Sequence, residues 1–78
     1  MTPQLLQDVR AEALFVSDLQ TSDRFDSHRI RGAVMRSVRQ HGPRGCAALV
    51  ALEYGEHPET AASRMAWILG VVQTTYRR

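Results

Sequence analysis

The sequence predicts an all-α domain, a compact bundle of four helices spanning residues 1–78 as a single unit. Three observations carry this. Apolar residues recur at three- and four-residue spacing in several stretches and nowhere alternate over a strand's length. Turn signals at Thr21–Asp26, His41-Gly42-Pro43 and Gly55 to Pro58 cut the 78 residues into four segments. Hydrophobic residues make up 44% and charged residues 23%, the balance of a chain that folds rather than one that stays extended.

The first helix opens with Thr2 as a potential N-cap and Pro3 at the first helical position, where a missing N–H goes unnoticed. Leu5, Leu6, Val9, Ala13 and Val16 form its apolar line, widened by Leu14, Phe15 and Leu19, and it is expected to end near Gln20. A polar loop, Thr21 to Asp26, follows, with Asp26 or Ser27 capping the second helix. There Ile30, Val34 and Val38 make the buried line, Ala33, Met35 and Ser37 lie beside it, and Arg29, Arg36 and Arg39 fall on another, exposed side. His41-Gly42-Pro43 is expected to stop it. The third segment runs from about Arg44 to Tyr54 on Cys46, Leu49, Val50 and Leu52, with Gly55 as a left-handed stop. The fourth starts at His57-Pro58-Glu59-Thr60, with Glu59 favouring the positive helix end, and carries Ala61, Met65, Ile68, Leu69 and Val72 at helical spacing.

Charge is sharply partitioned. All ten basic residues are Arg. Residues 1–26 hold five acids against two Arg, whereas residues 27–44 hold Arg29, Arg31, Arg36, Arg39 and Arg44 and no acid. Such a block attracts anionic partners more than the net charge of +2 conveys. It can also be neutralised within the fold by the acidic first helix.

Residues 47–68 carry the functional reading. Ala51 supplies the small residue that a helix-turn-helix needs where its helices cross, and Gly55 follows four residues later for the turn. Gly55, Pro58, Thr60, Ser63 and Arg64, with Met65 in place of leucine, resemble the turn and recognition helix of region 4 in sigma-70-type factors and similar helix-turn-helix regulators. The resemblance covers roughly a quarter of the chain. It implies that the last two helices form a helix-turn-helix-like unit and that the 58–66 helix enters the major groove. Thr60, Ser63 and Arg64 would then lie at the groove, and Arg29, Arg36, Arg39 and Arg44 in the Arg-rich 29–44 segment would contact phosphate. The sequence departs from that pattern at Glu56, Ala61 and Ala62, and Ala66-Trp67-Ile68-Leu69 stands where a basic run is common. The whole chain also resembles small actinobacterial proteins of no assigned activity, through Gly45-Cys46-Ala47-Ala48 and His57 to Ala61. That likeness implies a bacterial cytoplasmic setting.

The other reading is a protein-interaction or dimerisation module without nucleic-acid binding, with Trp67, Ile68, Val71 and Val72 as its seam. A homodimer fits either reading, since so small a core gains from a second copy. No enzyme, cofactor or metal is expected. His28, His41 and His57 have no ligand spacing with Cys46, the acids are scattered, and no glycine loop cradles phosphate. Cys46 is expected to be a small buried core residue. No signal peptide is read at the start, and the longest apolar run, Trp67 to Val72, is far below the ~20 residues that cross a bilayer. A cytoplasmic location, with no membrane partner, is the expectation.

Overall fold

The computed structural model describes residues 3–21 and 26–77. Its elements are α1 (Pro3–Phe15), α2 (Ser27–Glu56) and α3 (Pro58–Thr75), each packed on the other two. The expected Thr2 cap and residues 22–25 of the expected loop lie outside the described residues.

The four-helix expectation is corrected to three. The stop expected at His41-Gly42-Pro43 is a kink inside α2. Gly42 adopts φ 70° and ψ 164°, the single positive φ among the described residues. Both angles have a local cause. The ring of Pro43 disfavours helical ψ at the residue before it. In a straight helix that ring would also strike the carbonyl of Arg39. Glycine alone takes the left-handed φ without strain against a Cβ. The two halves of α2 stay close across the bend. A Cβ on Gly45 would meet the Cβ of His41 at 3.1 Å. The Cys46 thiol donates to the Ser37 carbonyl at 3.6 Å.

The expected helix-turn-helix-like unit is corrected as well. Gly55 does not stop the helix; it is helical, and α2 runs on to Glu56. His57 alone connects α2 to α3, its N–H bonded to the Glu53 carbonyl while its own carbonyl accepts from Ala61. A helix-turn-helix uses a turn of about three or four residues that often contains glycine. One residue at φ −138° does not make that turn.

Helix starts follow the sequence. Pro3 and Pro58 stand in first turns. Asp26 caps α2, its carboxylate accepting from the Arg29 N–H at 2.8 Å. Helix α1 ends at Phe15, not near Gln20. The main core gathers Leu14 and Leu19, Ile30, Ala33 and Val34, Cys46, and Ile68, Val71 and Val72. Phe15, Val50 and Ala61 form a smaller adjoining cluster. Among the described residues no helix is long and apolar enough to cross a membrane.

Candidate functional site

The arginines divide into two groups by what they touch. Arg64 is half-buried and turned inward. Its guanidinium donates to the carbonyls of Phe15 at 2.9 Å, Ser17 at 3.2 Å and Leu14 at 3.5 Å. Leu14 and Phe15 close α1 and Ser17 follows it, and a cation there meets the negative end of the helix dipole. The same group lies 5.4 Å from the Phe15 ring and 5.9 Å from the Trp67 ring. Burial lowers its pKa from the ordinary arginine value. The residue expected at a DNA groove is thus a clamp within the fold.

Arg10 and Arg31 are engaged at the other end of α3. They lie 3.9 and 4.6 Å from the Tyr76 ring, and Arg31 donates to the Thr75 carbonyl at 3.1 Å. Helix α3 has no basic residue in its own last turn. Arg31 of α2 supplies that charge from outside.

Arg36, Arg39 and Arg44 are different. They are exposed, and among the described residues none of them pairs with a carboxylate. Arg29 is exposed too. Arg29 and Arg36, seven residues apart, share one side of α2, and Arg39 lies about 60° round from Arg36. Met35, 56% exposed, sits among them. A Cβ on Gly32 would come within 3.2 Å of the Arg36 guanidinium, so glycine leaves room for that side chain to lie along the helix.

The expected site residues are only partly brought together. Thr60 and Ser63 are exposed near the start of α3. Arg31 marks the far end of that helix, about 22 Å from Thr60 at 1.5 Å per residue. Arg29 belongs to that far end. Arg36 and Arg64 lie on either side of the Val16–Asp18 segment. Arg36 lines one depression against it, with a volume near 400 Å³, and Arg64 lines another, near 430 Å³. Of the expected seam, Ile68, Val71 and Val72 lie in the core of the single chain and Trp67 is half-buried against it. The reason is rotational. They fall on the side of α3 that Ala61 also occupies, and that side faces α1 and α2.

The groove of about 430 Å³ is a feature that the sequence reading missed. Phe15, Leu19 and Ala61 are buried in its lining; Leu49 and Leu52 are exposed along it. The available signal was Leu52, which is apolar yet turned about 120° from Cys46 on a helix. Cys46 is wholly buried, and its thiol pKa is raised by burial and by nearby Glu12. No group of three metal-ligating side chains occurs among the described residues.

No family model matches this chain, and no curated protein or solved structure is detectably similar to it.

Proposed function

We propose that the protein binds nucleic acid through the phosphate backbone, using the first half of α2 and the kink that follows it rather than α3. The observation that carries this is the division among the arginines. Arg10, Arg31 and Arg64 are engaged by rings and carbonyls inside the chain, whereas Arg36, Arg39 and Arg44 are exposed and, among the described residues, have no carboxylate partner. No acid occurs between Ser27 and Leu52, so nothing on that stretch opposes an anion. Arginine suits phosphate because its planar fork donates two bonds at once. Helix α3 is not the reading element here. Its one arginine is occupied, and Glu59 stands in its first turn, where it would repel phosphate.

The mode is independent of sequence, since these side chains carry charge to a backbone and no base contact follows from their placement. Three arginines neutralising about three phosphates give a slope of log K against log salt near −2.7 on duplex DNA. Fluorescence anisotropy with a mixed-sequence duplex at low salt, followed by a salt titration, tests this. Binding in the micromolar range with that slope is expected. The variant R36Q/R39Q/R44Q should bring the slope close to zero. Thr60→Ala and Ser63→Ala should leave affinity unchanged. Absence of binding at tens of micromolar protein in low salt overturns the proposal.

A further inference from the structure

On a different surface from the arginines, we infer that the groove between the Phe15–Gln20 segment, α2 and α3 is a docking site for a partner's amphipathic helix with basic flanks. The groove has an apolar floor of Phe15 and Leu19 and an apolar lip of Leu49 and Leu52, the latter 53% exposed. Among the described residues its exposed charges are of one sign. Asp18 stands on the segment after α1 and Glu53 on α2. Glu56 and Glu59 continue the acidic rim round the α2–α3 corner, and residues 45–63 contain no Lys or Arg. Arg64 also lines the groove with its guanidinium turned onto the Phe15 and Ser17 carbonyls, and the two carboxylates outnumber it.

The charge and the walls together select the occupant. The walls are α2, α3 and the irregular 16–20 segment, and none of them is a strand edge on which an extended peptide could pair its backbone. An extended peptide would leave its own backbone unpaired against Leu49, Leu52 and Phe15. A helix satisfies its backbone internally and presents aliphatic anchors at i and i+3 or i+4. Lys or Arg on its flanks meets Asp18 on one side and Glu53 on the other. Such pairs steer encounter and fix orientation more than they add affinity, and the anchors supply the affinity.

Two labelled helical peptides of about five turns serve as probes, one of Leu and Lys and one of Leu and Glu with the same apolar face. The Leu/Lys peptide should bind the full chain and the Leu/Glu peptide should not. Leu49→Ser with Leu52→Ser should weaken binding about tenfold or more. Both positions are exposed, so the variant keeps its fold, and a circular dichroism melt verifies this. Asp18→Asn with Glu53→Gln should weaken binding less and flatten its salt dependence. Leu69→Ser, 50% exposed in the separate depression between α1 and α3, should change nothing. Equal binding of both peptides, or a loss with Leu69→Ser, overturns the inference. So does sedimentation that finds a dimer of the chain abolished by Leu52→Ser, which assigns the groove to a second copy. None of these readouts depends on nucleic acid.

Discussion

Removing the Arg64 guanidinium should loosen the end of α1 and lower the stability of the whole domain. Three carbonyls lose the guanidinium bond in Arg64→Met, which keeps most of the aliphatic stem. A hydrogen bond with one charged partner contributes about 1.5–3 kcal/mol. The bonds share one guanidinium, and the Ser17 hydroxyl also donates to the Leu14 carbonyl at 2.6 Å, so the three do not add. Solvent reaches part of this half-buried group and recovers some of the loss. A net ~2 kcal/mol follows, a large fraction of the stability of so small a domain. With an unfolding entropy near 2.1 cal/mol/K per residue over 78 residues, that lowers Tm by about 12 °C. Urea denaturation and thermal melts followed by circular dichroism measure it. Arg64→Lys should recover part of the loss, because a point charge reaches one carbonyl where the fork reaches several. Ser63→Ala, next to it but exposed, should stay within about 0.5 kcal/mol of wild type. A loss in Arg64→Met no greater than that of Ser63→Ala refutes the clamp and frees Arg64 for another role.

Further expectations concern backbone, burial and charge. Gly55→Ala should stabilise by about 0.5–1 kcal/mol, since Gly55 is helical with nothing within 4 Å of an added Cβ. Gly42→Ala should destabilise by about 1 kcal/mol or more, because φ 70° is unfavourable for a side chain even in open space; paired urea melts of the two variants decide, and a loss from Gly55→Ala would restore Gly55 as a turn. Glu12 has its pKa raised, first by burial and then by Asp8. Folded Glu12 therefore holds its proton to higher pH than unfolded Glu12, so its ionisation opposes folding above that range and the penalty fades as pH falls through it. Glu12→Gln should accordingly raise Tm at pH 7 and lose that advantage in acid, and a pH series of melts checks the sign. Cys46 should react with a thiol reagent only through opening of the fold, with rates that rise with urea, because it is buried and its thiolate is disfavoured; immediate native labelling counts against this.

The features legible in the amino-acid sequence are local ones. Pro3, Asp26 and Pro58 set helix starts through effects that reach no further than the first turn. The apolar lines of Ile30 and Val34, and of Ala61, Ile68 and Val72, mark inward faces because 3.6-residue periodicity is a property of the helix itself. Gly42-Pro43 announced a break, though not that the chain would bend and continue as α2. Tertiary structure decided the rest. Helix α1 ends at Phe15, short of Gln20, and Arg64 takes the Phe15 and Leu14 carbonyls from 49 and 50 residues away. No local pattern encodes a partner at that distance. Gly55 tolerates either a left-handed turn or a helix, and here it lies within α2 with His57 alone as the connection. Ten arginines look alike as letters. Only packing, which turns some toward rings and carbonyls and leaves others in water, separates the arginines that hold the fold from those open to an anion.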